Sequence, residues 1–344
     1  MRIGMLANIG AHFDAFWLPI INDLQSRGHA VHMAASSAAS IADVAEIDGV
    51  TRRPHINNIR ARGALTEWAR RCSLDIIVTN TATPSFLVRA IQNSVPVVYF
   101  AHGFHWSNSR SASGVFWQLL EGAMVRRTAG FITLNDEDER WLERNAPHKP
   151  VLRLPYGVGL ETASYDWSMV TPSSELVWIG EFTARKRPLD AVGLAGQLMS
   201  KRVPFHMNML GNGPLRSAVS TRIDALGLRE HVTLRGHVAP QSFIRDSSAL
   251  VHTATWEGLP RVGLEAIAMG RPVVGYRIKG LTSLPGAVLA TDGDVKELAS
   301  LASKVLANPA SFVPRVNREE LSWKYSATLI EEFLARVLRE NSYD

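Results

Sequence analysis

Short, almost unbroken apolar runs recur along this chain and then start again halfway. That double series limits the fold more than any other feature. The first series lies at 2–6, 30–34, 75–79, 97–101 and 130–134. The second lies at 176–179, 206–210, 232–234, 249–253 and 272–276. A strand that is apolar at nearly every position is buried on both faces, as parallel strands are when helices cover the sheet. The stretches between are amphipathic, for example 16–26, closed by Gly28. Such alternation predicts a doubly wound α/β sheet, and its restart predicts two Rossmann-like sheets facing across a cleft. The length agrees, because 344 residues exceed what one core usually holds. The join is expected within 154–168, where Pro155, Gly157 and Gly159 precede polar residues. A last helical stretch, about 323–338, follows the second series.

Composition excludes several classes. With 46% hydrophobic and 20% charged residues, the chain is neither disordered nor collagen-like. No apolar run approaches the ~20 residues that span a bilayer. The N-terminus reads as a first buried strand rather than a signal peptide. The single cysteine, Cys72, points to a reducing compartment, so a cytoplasmic location is expected. The net charge of +5 favours anionic partners without naming one, and no nucleic-acid partner is expected. Its placement says more. Arg52, Arg53, Arg60, Arg62, Arg70 and Arg71 stand against one acid, Glu67. Such a run is a solvated face or a surface for anionic lipid headgroups.

The densest chemistry lies in Trp256-Glu257-Gly258-Leu259-Pro260-Arg261-Val262-Gly263-Leu264-Glu265, ahead of Gly270. A strand ends just before it, Pro260 sits where a helix can begin, and Gly270 can end that helix. A helix N-terminus at the edge of a parallel sheet offers backbone amides and partial positive charge, which suits a diphosphate. Gly258 and Gly263 let the backbone come close. Glu257 precedes the helix and Glu265 lies inside it, so they can address opposite ends of one ligand. A carboxylate only accepts hydrogen bonds and can hold two vicinal hydroxyls, either of a sugar or of a ribose.

This block resembles the Glu-x7-Glu region of retaining glycosyltransferases of family 4, which have the GT-B fold. The resemblance implies that Glu257 faces the donor sugar and Glu265 the ribose. It also extends along essentially the whole chain. Gly180-Glu181-Phe182-Thr183-Ala184-Arg185-Lys186 is similar to the family loop whose cations bind the diphosphate. Lys186 matches the Lys of that loop, whereas Glu181 stands where the family usually has Arg. Arg185 is expected to supply the missing charge. The Glu181 variant, and the segment His102-Gly103-Phe104-His105, resemble the exopolysaccharide and capsule subgroup. His102 is thus a candidate donor to a sugar hydroxyl or a leaving phosphate, with a structural histidine as the plain alternative. In the first loop, Gly10 and His12 stand near the family's glycine pair. Phe13, Phe16 and Trp17 have core packing or contact with a lipid acceptor open to them. Leu210-Gly211-Asn212-Gly213-Pro214 resembles a family turn, and Gly236, His237 and Val238 the strand end where the base rests.

The resemblance implies an acceptor-binding domain at 1–155, with 322–344 packing back on it, and a nucleotide-sugar-binding domain at 156–321. It implies retaining transfer from a nucleoside-diphosphate sugar, expected to be a UDP-sugar, to a lipid-linked or glycan acceptor at the inner face of the cytoplasmic membrane. Two alternatives stay open: a GT-B-fold sugar-nucleotide epimerase and a non-catalytic sugar-nucleotide-binding protein. A NAD-dependent dehydrogenase is disfavoured, because no Gly-x-Gly-x-x-Gly follows the first strand. No cofactor and no metal are expected. The triplets Asp136-Glu137-Asp138 and Asp292-Gly293-Asp294 lie where helices start, so capping explains them.

Overall fold

The computed structural model describes residues 1–40, 43–50, 58–91, 95–104 and 112–341, with side chains except at 58–60 and 113. The chain divides into two compact units, Met1–Gly159 with Ser322–Asp344, and Leu160–Leu321.

The first unit runs β1 (Arg2–Leu6), α1 (Ala11–Phe16), α2 (Leu18–Ser26), β2 (Ala30–Ala35), β3 (Val44–Glu46), α3 (Asn58–Arg71), β4 (Ile76–Thr79), α4 (Ala82–Ala90), β5 (Val97–Phe100), α5 (Ala112–Val125), β6 (Gly130–Thr133), α6 (Asp136–Asn145) and β7 (Val151–Arg153). Its strands form one parallel sheet in the order β3-β2-β1-β4-β5-β6-β7. The second unit runs β8 (Glu175–Ile179), α7 (Pro188–Ser200), β9 (His206–Leu210), α8 (Arg216–Ala225), β10 (Val232–Gly236), α9 (Gln241–Asp246), β11 (Ala249–His252), α10 (Arg261–Ala268), β12 (Val273–Tyr276), β13 (Val288–Ala290) and α11 (Val295–Ala307). Its sheet is also parallel, in the order β10-β9-β8-β11-β12-β13. The doubly wound α/β class follows from both. Strand order reverses between β1 and β4 in one sheet and between β8 and β11 in the other. Ligands of open α/β sheets bind at the carboxyl ends of strands at such reversals.

Burial explains which strands the sequence betrays. β4, β5, β6, β11 and β12 are buried at every residue. β3, β7 and β13 are three-residue strands that keep partial exposure, so no apolar run marks them. The helix expected over 16–26 is α2, which starts two residues later, and the short α1 precedes it. Pro19 lacks the N–H that a continuous ladder needs, and the break falls at Trp17, whose ring is fully buried and stacks edge-on to Phe100 at 5.0 Å. Burying a ring of that size contributes about 4–6 kcal/mol by area. Trp17 and Phe13 are therefore core, while Phe16 is 38% exposed.

The last helix, α12 (Trp323–Asn341), packs in the first unit. A Cβ on Gly130 of β6 would meet Phe333 and Val337 at 3.0 Å, so that glycine is where α12 seats. Glu331 of α12 accepts from Arg27 at 2.7 Å and pairs with His29 at 2.6 Å. Both Asp-rich starts act on helices. Asp294 caps α11, accepting from the amides of Lys296 and Glu297. Asn135 caps α6, and Asp138 is buried, accepting from Asn135 and from the Phe104 amide at 3.0 Å.

Candidate functional site

In the second unit the sheet brings two distant loops to one point. β8 ends at Ile179, and the chain turns through 180–187 before α7. Arg187 takes a left-handed conformation (φ 46°), and Pro188 opens the helix with its ring already set for it. β11 ends at His252, and the chain turns through 253–260 before α10. Hydrogen bonds lock the two turns together. The Thr253 hydroxyl donates to the carbonyls of Lys186 at 2.8 Å and Arg187 at 3.0 Å, and accepts from Trp178 Nε1 at 2.9 Å. The Thr255 amide donates to Arg185 O at 2.8 Å.

This splice sets Glu257 among cations. Its Oε1 lies 2.5 Å from Lys186 Nζ and 3.0 Å from Arg185 Nη1. The Arg185 guanidinium also rests over the Trp256 ring, 5.4 Å from its centroid. Burial alone would raise the Glu257 carboxyl, but Lys186 foremost, with Arg185, holds it below the usual carboxylate range. Beneath it, His252 is 3% exposed, with its Nε2 3.8 Å from Glu257. Neither ring nitrogen has a hydrogen-bond partner among the described residues. Burial, then the Lys186 charge, lowers its pKa to about 4, so the ring is neutral.

Glu265 sits one turn into α10 and is buried. It accepts from Tyr165 Oη at 3.1 Å and Arg261 Nε at 3.3 Å. Burial raises its pKa, and pushes the Tyr165 hydroxyl up to about 12. Pro260 is the cap residue of α10, Val262 and Gly263 lie in its first turn, and Gly258 and Leu259 lead into it. Gly263 has a packing reason for lacking a side chain, since a Cβ there would meet Leu284 at 2.7 Å.

The turn Gly211-Asn212-Gly213 serves the loop beside it. A Cβ on Gly211 would lie 2.0 Å from Gly180 O, and one on Gly213 2.8 Å from Phe182 backbone atoms. Both glycines have positive φ, so the close approach needs them. Phe182 N donates to Asn212 O at 2.8 Å, and Leu215 N to Phe182 O at 2.9 Å. Glu181, Asn212, Gly213 and His237 line an open pocket there. Glu181 is exposed; Gly236 ends β10, and His237 and Val238 follow it, both exposed.

The first unit carries the other candidates at the ends of β1 and β5. His102 follows β5, and its ring meets His12 at 5.0 Å, edge-on, and Phe100 at 4.6 Å. The Nε2 atoms of both histidines are buried without a partner among the described residues. Burial lowers His12 to about 4, and burial with the His12 neighbour lowers His102 to about 3. The Gly103 turn (φ 112°) is pinned by the bond from Phe104 to Asp138. His105 lies outside the described residues. Gly10 is closely packed by its own unit, since a Cβ would lie 2.6 Å from the Ser37–Ala38 backbone. Among the described residues, no group of three His, Cys, Asp or Glu side chains could hold a metal.

Sequence reasoning did not single out Tyr165, His252 or Thr253. Arg261 stands four residues before Glu265, a spacing that places both on one helix face. His252 had a weaker signal, a lone polar residue closing an apolar strand. Tyr165, a hundred residues from its partner, had none.

Two family models match. One described as "Glycosyltransferase Family 4" covers residues 18–162, and one described as "Glycosyl transferases group 1" covers residues 173–308. The chain is 23% identical over 306 residues to the putative glycosyltransferase EpsD of Bacillus subtilis, spanning 81% of this chain and 79% of that protein. Among solved structures it resembles a sucrose-phosphate synthase from Thermosynechococcus elongatus (TM-score 0.77, 15% identity, 99% and 100% of the two chains). It also resembles Anabaena HepE in complex with UDP and glucose (TM-score 0.77, 16% identity, 98% and 100%). These two likenesses establish a shared fold.

Proposed function

Because the chain belongs to glycosyltransferase family 4, with the GT-B fold, we propose that it moves a sugar from a UDP-sugar, with retention, to a lipid-linked or glycan acceptor in polysaccharide assembly. The observation that carries this is the trio of Glu257, Lys186 and Arg185 at the strand-order reversal of the second unit. Two adjacent cations and the start of α10 make a site for a diphosphate without a metal. Lys186 and Arg185 are held by Glu257 in the free protein. An arriving diphosphate competes for them, and the Glu257 carboxylate is then released toward the hydroxyls of the sugar. Glu265, set by Tyr165 and Arg261, takes the ribose diol. The pocket at Glu181, Gly213 and His237, beside Gly236 and Val238, takes the base. Arg185 supplies the cation that Glu181 does not.

In the reaction, the bond between the anomeric carbon and the diphosphate oxygen breaks, and its electron pair leaves with UDP. The acceptor hydroxyl bonds to that carbon on the same face, and its proton passes to the departing phosphate oxygen. Lys186, Arg185 and the α10 amides stabilise the negative charge that builds on UDP. His102 and His12, both neutral, offer hydrogen-bonding nitrogens to acceptor hydroxyls at the sheet edge of the first unit.

The names of relatives support the polysaccharide setting. EpsD is a putative glycosyltransferase, and another relative is a lipopolysaccharide core glycosyltransferase of Rhizobium meliloti. No helix among the described residues is long and apolar enough to cross a membrane. A lipid-linked acceptor would therefore be met by peripheral contact at an anionic surface on the inner face of the cytoplasmic membrane. The test is a panel of UDP-sugars with a prenyl-diphosphate-linked acceptor, reading UDP release and the anomeric configuration of the product. An inverted product refutes retention, and turnover that EDTA abolishes refutes metal independence. UDP binding without release under any pairing would favour a sugar-nucleotide-binding protein instead.

A further inference from the structure

Of the large apolar side chains exposed in the described residues, three crowd onto one helix. Val115, Phe116 and Leu119 of α5 are 44%, 59% and 71% exposed. They stand at i, i+1 and i+4, which places them on one side, continued by exposed Gly122 and Ala123. Scattered apolar side chains need no explanation, but a contiguous row does. Along the chain on either side of the row, the exposed charges are of one sign. Between Ala101 and Leu134 the sequence holds a single acid, Glu121. That acid points inward and is buried, with its Oε2 3.0 Å from Arg89 Nη2. The exposed surface of α5 therefore carries no carboxylate. At its C-terminal end the helix runs into Arg126 and Arg127, which with Lys149 line an open pocket of about 510 Å³. No acid lines that pocket, and none of the three cations has a carboxylate partner among the described residues. The one buried cation beside it, Arg89, is already neutralised by Glu121.

We propose that α5 docks this protein on an anionic bilayer. Phe116, Leu119 and Val115 enter the boundary between headgroups and acyl chains, and the Arg126–Arg127–Lys149 pocket receives a lipid phosphate. An apolar row that ends on cations alone complements a sheet of anionic headgroups. A protein partner would more commonly meet a rim of both signs. The arginine run at 52–71 is a poorer candidate in the described residues, because Arg70 is spent on Glu67 at 2.8 Å. Arg52, Arg53 and the Arg60 side chain lie outside them. This inference rests on the membrane part of the reading above and is separable from its chemistry.

The experiment is co-sedimentation of the full chain with vesicles of phosphatidylcholine, with and without phosphatidylglycerol. Binding is expected on the anionic vesicles only, and it should weaken as salt shortens the Debye length from ~10 Å at 0.1 M to ~3 Å at 1 M. Phe116→Ser with Leu119→Ser should lower the partition coefficient by roughly 10-fold or more, from the apolar area no longer buried. Arg126→Gln with Arg127→Gln should remove most of the salt dependence. These side chains are exposed, so UDP affinity should be unchanged in both variants and Tm unchanged in the serine variant; Arg127 also donates to Ala90 O at 2.9 Å, so a small fall in Tm is expected in the glutamine variant. No binding of the unaltered protein to anionic vesicles at low salt overturns the proposal, and so does a serine variant that binds as well as the unaltered chain. If the serine substitutions instead split a dimer and leave vesicle binding intact, α5 is a contact between two copies. Vesicle binding with no transfer from any donor would sink the glycosyltransferase chemistry and leave the docking surface standing.

Discussion

At the ends of β8 and β11 the second unit gathers one carboxylate and two cations, each partnered within 3.0 Å. At the ends of β1 and β5 the first unit gathers two imidazoles and a phenyl ring, and the buried Nε2 atoms of both imidazoles have no partner among the described residues. Both places sit on the carboxyl edge of a parallel sheet with the same reversal of strand order. The sheet thus decides where a ligand can lie, and the loops decide which ligand. A charged trio suits an anion. Neutral rings with open nitrogens suit hydroxyls, because they can donate or accept without desolvating a charge.

The sharpest way to break this contrast is to remove the carboxylate. Glu257→Gln should lower kcat by about 100-fold or more, the scale seen when one group that orients developing charge is lost. UDP affinity should hold or improve, since Lys186 and Arg185 lose their internal competitor. A variant with near-normal kcat would mean that Glu257 only stores the cations. Next comes Glu265→Ala. Losing a charged acceptor for a buried diol costs about 1.5–3 kcal/mol, so the Kd for UDP should rise roughly 10- to 150-fold, as read by titration calorimetry. Unchanged affinity would show that Tyr165 and Arg261 are its whole purpose. On the other side, His102→Phe should raise KM for acceptor or donor while leaving the Kd for free UDP within about 3-fold. A large loss of UDP affinity would move His102 onto the nucleotide and erase the contrast.

The last expected effect is on stability rather than on activity. His12 and His252 titrate at about 4 in the folded chain and His102 at about 3, all below the free value of about 6.5. As pH falls through 6.5, the unfolded chain takes up protons that the folded chain refuses. Stability therefore rises with pH across that window and declines on acidification until the folded rings also titrate. Tm should fall between about pH 7 and about pH 5, and His252→Phe should reduce the drop. An equal drop in that variant would assign the proton uptake elsewhere.

The sequence disclosed these edges unevenly. A strand buried on both faces must be apolar throughout, so β4, β5, β11 and β12 announced themselves. β3, β7 and β13 are too short and too exposed to do so. Lys186 and Arg185 stood out because a diphosphate needs cations, and Glu257 and Glu265 because carboxylates near a helix start can hold the vicinal hydroxyls of a ligand. Their joining into one ion cluster was not readable, because it depends on Thr253 and Thr255 tying two loops about 70 residues apart. His252 and Tyr165 escaped for a related reason: one polar residue at a strand end, or one tyrosine in a loop, has no period and no spacing to betray it. Gly211 and Gly213 were legible as a family turn, but the reason for their missing side chains, the backbone of Gly180 and Phe182, was not.

The path of the chain through the two units has a consequence for how such proteins can be remade. Leu160 N donates to Leu321 O at 2.8 Å, so the second unit begins and ends at one spot. It is, topologically, an insert with its ends already joined, carried by a host that resumes at Ser322 with α12. Every residue of the charged trio, and Glu265 with its partners, lies inside that insert. On the proposed reading, donor choice is encoded in a single continuous cassette with two neighbouring splice points. Exchanging 160–321 between relatives should transplant sugar preference whole, while the host keeps its imidazoles and its acceptor.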